Sequence, residues 1–306
     1  MIAPTFHKQL TRFPSVAAAI LDNLKHQKGR LDPKQSQSLM RCLNIPWDEL
    51  LETLLPLATA LTVNPISRFP VGAIVEGYRE SGHGPLYFGA NLEMPEIPLK
   101  LTVHAEQAAV CNAWHQRETR LRQLIVNNAP CGHCRQFLNE LNHIDDIIVT
   151  IKRLNSKKIA RYQMADLLSD SFGPANLNQT DRLMSSASTE IQLAEPYTKD
   201  ALAVAAADAA ANSYAPYTQC YSGVALQLSN GQIITGQYAE NAAFNPSMTA
   251  IESAMVNWRL ADLATPENPA HVTHAVLVEK KAMISHREIT ENILSSYGIK
   301  LTTVVV

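Results

Sequence analysis

His104-Ala105-Glu106 and, further along the chain, Pro130-Cys131-Gly132-His133-Cys134 combine residue types that metal-assisted hydrolysis needs. Each piece alone has a plainer reading. A Cys-x-x-Cys serves as a redox pair or as half of a structural zinc site, and a lone histidine is more often a satisfied core residue. A structural zinc site takes four protein ligands, and only His104, Cys131 and Cys134 occur at sensible spacing. Three protein ligands leave one position open for water, which is the catalytic arrangement. The redox reading gives His104 and Glu106 no role. A carboxylate two residues from a ligand need not bind the metal. It can take a proton from a water whose pKa zinc has lowered to about 7, and deliver that proton later.

These residues need elements to present them. The pattern predicts a helix starting near His104 and another starting at Cys131, with Pro130 at an entry position where its missing N–H costs nothing. Two thiols spaced i, i+3 then face one way, and a helix N-terminus lowers their pKa. Two helix starts are expected to converge on one Zn2+. Upstream, 1–48 reads as two short helices (VAAAILDNL and QSQSLMRCL) without visible chemistry. From 49 to 174 the expected order is α-β-β-α-β-α-β, with strands near 69–77 and 85–93. The segment 175–195 is polar and weakly periodic and reads as a linker. From 196 to 306 the same order returns, with a hairpin signal at Asn230-Gly231.

The halves share landmarks. Pro65 to Gly72 and Pro216 to Gly223 are each seven residues; Gly72 to Asn91 is nineteen and Gly223 to Asn241 eighteen. On this count Asn241 answers Asn91, Ala250 answers His104, and Glu252 lies two residues beyond. No cysteine follows Cys220, so the second half is expected to bind no zinc, giving one ion per chain. Agreement of landmarks with element order favours internal duplication. The expected fold is α/β: two three-layer α/β/α modules, the second degenerate, behind a small N-terminal helical segment.

With Phe69-Pro-Val-Gly-Ala-Ile, Phe88-Gly-Ala-Asn91-Leu92-Glu93, Thr102-Val-His104-Ala-Glu106-Gln and Pro130-Cys131-Gly-His-Cys134-Arg-Gln-Phe, the sequence resembles cytidine deaminases of the long bacterial type. The resemblance covers nearly the whole chain. It implies hydrolytic deamination of cytidine and 2′-deoxycytidine, with His104, Cys131 and Cys134 holding zinc and Glu106 moving protons. It further implies that Asn91 and Glu93 meet the sugar hydroxyl and that Phe69 packs against substrate, with Leu92 and Ala105 beside them. Asn91 and Glu93, two apart on a strand, project to one face. The family's pattern also implies a homodimer in which a partner chain completes each site, with Phe172 and Phe244 as candidates to line it. The departures are a longer hairpin at Glu80-Ser-Gly-His-Gly-Pro and an insert at Met94-Pro-Glu-Ile-Pro.

Composition bounds the alternatives. The 306 residues are 46% hydrophobic and 18% charged, which suits two packed domains. A net charge of −2 supplies no basic field for a phosphate backbone, so nucleic acid is not an expected partner. No apolar stretch reads as a leader or membrane span, and five cysteines in such a chain argue against a disulfide framework; a reducing cytoplasm is the expected setting. A nucleotide or single-strand deaminase would need phosphate-binding residues. A non-catalytic zinc-stabilised protein would have no use for Glu106.

Overall fold

The computed structural model describes residues 3–261, 263 and 270–306. The N-terminal segment holds α1 (Ala3–Leu10), α2 (Ser15–Asp22), the two-residue strand β1 (Arg30–Leu31) and α3 (Pro33–Leu43). The sequence reading included neither α1 nor β1. α3 starts where the chain says it should: Pro33 follows Asp32, whose side chain accepts from Gln35 N while Gln35 caps in return.

The first module contains α4 (Trp47–Thr59), β2 (Gly72–Gly77), β3 (Leu86–Ala90), α5 (Ala105–His115), β4 (Leu121–Val126), α6 (Gly132–Leu138), β5 (Ile148–Lys152) and β6 (Ile159–Gln163). Its sheet runs β1-β3-β2-β4-β5-β6, with β4 and β5 parallel and the other neighbours antiparallel. The second module contains α7 (Ala201–Ala211), β7 (Ser222–Leu228), β8 (Ile233–Gln237), α8 (Ala250–Ala261), β9 (Val272–Glu279), α9 (Arg287–Ser295) and β10 (Leu301–Val305). Its sheet runs β10-β9-β7-β8. Residues 175–195 carry only the end of a short helical turn (Pro174–Leu177), yet Leu183 and Met184 are buried, so this connection is partly packed.

Glycines show how helices reach both faces of each sheet. Gly72 pairs with Ala90, and a Cβ on it would strike the backbone of Ala58 and Thr59 in α4. Gly89 pairs with Ala73, one position along, and a Cβ there would lie 2.1 Å from Ala109 N in α5. Adjacent positions of a strand pair face opposite ways, so α4 and α5 lie on opposite sides. Gly223 against α7 and Gly236 against α8 repeat the arrangement. Both modules are therefore three-layered, as expected.

The structure also fixes the correspondence between modules and corrects the one read from spacing. Leu92 bridges Val63 and Val103; Ala239 bridges Tyr214 and Met248. Ala239 therefore answers Leu92, which makes Tyr238 the counterpart of Asn91, Glu240 that of Glu93, and Thr249 that of His104. Asn241 and Ala250 do not hold those places. The cause is a short hairpin: residues 78–85 connect β2 to β3, but only 229–232 connect β7 to β8. Thr249 caps α8 with Glu252, as His104 caps α5 with Gln107, so Glu252 answers Gln107 and Ile251 stands where Glu106 does.

At the start of α9, His286 is buried, its ring centroid 4.1 Å from that of Tyr238, and its Nε2 has no hydrogen-bond partner. Burial pushes its pKa down to about 4. The unfolded chain therefore binds a proton near pH 6.5 that the folded chain refuses until about pH 4, so stability falls as pH drops through this window, by at most about 1.4 kcal/mol per unit. Urea unfolding of His286→Phe at pH 7 and pH 5 should show a smaller loss than the unsubstituted protein; equal losses would remove His286 as the cause.

Candidate active site

α5 and α6 bring the predicted donors together at their starts. His104 is the N-terminal cap of α5, and Cys131 that of α6, so Pro130 stands before the cap rather than inside the first turn. His104 N donates to Gln107 Oε1 at 3.2 Å, which fixes the cap. Arg135 Nε donates to Pro130 O at 2.9 Å and Nη1 to Leu167 O at 3.0 Å, holding the turn that carries Cys131. The His104 Nδ1 atom lies 3.4 Å from Cys131 Sγ and 3.3 Å from Cys134 Sγ, and the three donor atoms all fall within 4.8 Å of one another. A tetrahedral zinc with bonds of about 2.3 Å to sulfur and 2.0–2.1 Å to nitrogen separates such donors by roughly 3.5 Å. The donor set fits zinc. Among the described residues no other His/Cys/Asp/Glu group is placed to hold a metal.

The electrostatics are those of a shared proton. The Cys131 thiol is pulled down to about 3 by hydrogen bonding with Cys134 and His104. Cys134 is pushed up by Cys131 and by its own burial. Glu106, on the first turn of α5, is 4% exposed, and desolvation pushes its carboxyl above the ordinary range. His133 is not part of the donor group; its ring lies 5.7 Å from that of His104, tilted.

A cavity of about 280 Å3 opens beside this cluster, lined by Ser67, Phe69, Asn91, Glu93, Ala105, Glu106 and Cys131 among others. Asn91 and Glu93 share its wall, as their spacing requires. Both are already employed. Asn91 Oδ1 accepts from Val71 N at 2.9 Å and Thr62 Oγ1 at 3.1 Å, and Nδ2 donates to Phe69 O at 3.1 Å. Glu93 accepts from Ile66 N at 2.8 Å, from Ser67 N at 3.0 Å and from Ser67 Oγ. The two side chains thus latch the 66–71 loop that carries Phe69, which is 55% exposed at the mouth. Asn127 adds a third latch, accepting from Gly72 N and donating to Pro70 O, both at 3.1 Å. The sequence reading missed Asn127, Ser67 and Thr62; the polar Asn127-Asn128 pair ending an apolar strand was the available signal.

Three candidates lie apart from this cavity's lining. The Leu92 side chain, alternating with Asn91 and Glu93, faces a small separate apolar cavity with Leu61, Ala108 and Leu260, so it supports the wall from behind. Phe172 is half-exposed, its carbonyl accepting from Gln136 Nε2 at 2.8 Å and Asn139 Nδ2 at 3.1 Å. Phe244, 63% exposed, lines a different space of about 540 Å3 between the modules, with His104, His133 and Tyr238 also on its wall.

In the second module Thr249 stands in the place of the histidine and no cysteine follows Cys220, although its helix cap and carboxylate latch persist. Elemental analysis should therefore find one zinc per chain, and Cys131→Ala should lower that content; two tightly held ions would contradict the assignment.

Two family models, each described as the cytidine and deoxycytidylate deaminase zinc-binding region, match residues 46–151 and 164–291. A cytidine deaminase of Photobacterium profundum is 43% identical over 267 residues, 87% of this chain and 85% of its own. One from Yersinia pestis is 41% identical over 297 residues, 96% of each chain. The solved cytidine deaminase of Burkholderia pseudomallei aligns at 26% identity with 40% of this chain and 98% of its own, with a TM-score of 0.36. On the extent and identity of the full-length matches, the chain belongs to the cytidine deaminase family.

Proposed function

We propose that the chain hydrolyses cytidine and 2′-deoxycytidine to uridine and 2′-deoxyuridine, releasing ammonia, with one Zn2+ held by His104, Cys131 and Cys134. The observation that carries this reading is a desolvated carboxyl, Glu106, beside a three-donor zinc set on the wall of a nucleoside-sized cavity. Zinc supplies Lewis-acid activation of water there. The water oxygen bonds to C4 of cytosine, N3 takes a proton, and the C4–N bond then breaks as the amino group leaves protonated, as ammonia. Glu106 is the group that removes the proton from water, gives it to N3, and later serves the leaving nitrogen. A raised carboxyl pKa suits both halves of that task.

The remaining roles follow from unused bonding capacity. Asn91 Nδ2 keeps one N–H, and the Glu93 carboxylate keeps lone pairs beyond the three donors it accepts, so each is proposed to meet a sugar hydroxyl. The negative Glu93 disfavours a 5′-phosphate placed nearby, and net charge −2 disfavours a polynucleotide. Ala105 and Phe69 are proposed to flank the base. Catalysis is proposed to reside in 49–174, and 196–306 to act as a degenerate, zinc-free module across the 175–195 link. Among the described residues no helix is long and apolar enough to cross a membrane, and the cytoplasm is the proposed location.

A homodimer is proposed as the working form, with Phe244 of the partner subunit closing the nucleoside cavity. Phe69 at its mouth, and Ile66, Phe172 and Phe244 elsewhere, are all exposed at 45% or more, apolar surface that a second copy would cover.

Glu106→Gln should keep its zinc and lose at least about a thousandfold in kcat, because the amide keeps the shape without the proton transfer; release of ammonia from cytidine near the wild-type rate would refute the mechanism. For the shared site, the test is a mixture of Glu106→Gln with Phe244→Ala chains, each impaired alone. The mixture should recover up to about a quarter of the wild-type activity, because random pairing makes about half of the dimers mixed and each mixed dimer has one intact site of two. No recovery would show that Phe244 serves its own chain.

A further inference from the structure

Glu140 lies two residues beyond α6 and is fully buried. Its Oε1 accepts from Tyr214 Oη at 2.8 Å and Tyr217 Oη at 2.5 Å, and its Oε2 accepts from Ala242 N at 2.9 Å. All three donors belong to the second module. Beside it Asn241 Nδ2 donates to Gln136 O at 2.8 Å, and Gln136 Nε2 donates to Asn241 Oδ1 at 3.3 Å. The Leu183 N–H adds a bond to the Glu140 carbonyl at 2.9 Å, so the connection between modules is tied to the same point.

What these bonds join matters more than their number. α6 starts at Cys131 and carries Cys134; its far end leads into Glu140. The loop after Ala239 carries Asn241, Ala242 and Phe244, and Phe244 meets Tyr217 edge-on with ring centroids 6.4 Å apart. One buried carboxylate therefore fixes the helix that presents the thiols against the loop that presents Phe244. A buried charge with every donor drawn from the other module cannot be released without leaving it unpaired, so the junction is rigid.

We propose that Glu140 is a positioning residue for the deaminase reaction: it sets the 241–245 loop relative to the zinc helix, and through that loop the second module controls substrate affinity. This rests on the deaminase reading above. Gln at position 140 presents either an N–H2 or a carbonyl to the Ala242 N–H and cannot satisfy all three donors at once. Phe at position 217 deletes one donor without adding a mismatch.

Full-length Glu140→Gln and Tyr217→Phe should be assayed on cytidine with zinc content measured in parallel. The expected result is one zinc per chain and a kcat within about threefold of wild type for both. KM should rise about tenfold for Glu140→Gln and about threefold for Tyr217→Phe. Glu140→Gln added to Phe244→Ala should raise KM little beyond Phe244→Ala alone, because both act through one loop. A KM within twofold of wild type in both variants, a loss of kcat and zinc at unchanged KM, or full multiplication of the two KM effects would each overturn the proposal. Should Glu140→Gln fail to fold, Tyr217→Phe and its combination with Phe244→Ala carry the same test. Wild-type inactivity on cytidine would fail the deaminase reading instead, whereas an active wild type with normal KM in the variants fails this one alone.

Discussion

The missing side chain at Gly89 is the constraint on which the site's geometry depends. α5 lies so close to β3 that a methyl group there would collide with the Ala109 backbone nitrogen. Only at this separation does the N-terminal cap of α5 reach the level of the cap of α6, which leaves the sheet two strands away, after β4. Both helices then start at the same small volume, where their N-terminal dipole ends favour thiolate. His104 and Cys131 sit at caps, with Cys134 one turn further on, because that is where two helices can point at one place without their bodies clashing.

The second module separates scaffold from chemistry. It keeps Gly236 against α8, the helix cap from Thr249 to Glu252, and the Glu240 carboxylate accepting from Tyr217 N, Thr218 N and Thr218 Oγ1. These are contacts that burying a helix on a sheet and pinning a loop demand. It lacks counterparts of the imidazole, of the paired thiols and of the Glu106 carboxylate, which demand nothing of the fold. Glu93, whose three donors match those of Glu240, is therefore a loop latch first; any sugar contact is made with what remains of its bonding capacity.

The gathering of His104, Cys131 and Cys134, and most of the element order, were legible in the sequence because both depend on local spacing: Cys131 and Cys134 one turn apart, and His104 ahead of a helical apolar period. The two-module architecture was legible for the same reason. What escaped was register across loops. Counting along the chain matched Asn241 to Asn91, while the strands pair Tyr238 with that place, because a count cannot tell four residues lost in a hairpin from residues gained beyond it. Leu92 was misplaced by reading a motif as a block when β geometry sends alternate side chains to opposite faces. The latches from Asn127 and Ser67 join positions separated by 55 and 26 residues, and no local pattern announces them.

The buried acids differ in the partners that the fold gives them. Glu76 accepts from Trp47 Nε1, Gln123 Nε2 and Gly84 N. Glu93, Glu140 and Glu240 each accept from three donors, Glu252 from both the N–H and the hydroxyl of Thr249, Glu279 from Ser285 and His286, and Glu118 from Arg79. Each of these carboxylates accepts hydrogen bonds from within the scaffold, which favour the charged form, although burial still pushes Glu140 up and Glu252 up to about 7. Glu106 differs. Burial pushes it up, as it does Glu140 and Glu252, but its partners are its own backbone N–H and the three donors His104, Cys131 and Cys134. A carboxyl beside the three donors is the one for which proton transfer is proposed, because its partners are those donors and not the scaffold. Its position on the first turn of α5 keeps it there, since α5 is buried along almost its whole length and has no room to turn that side chain toward solvent.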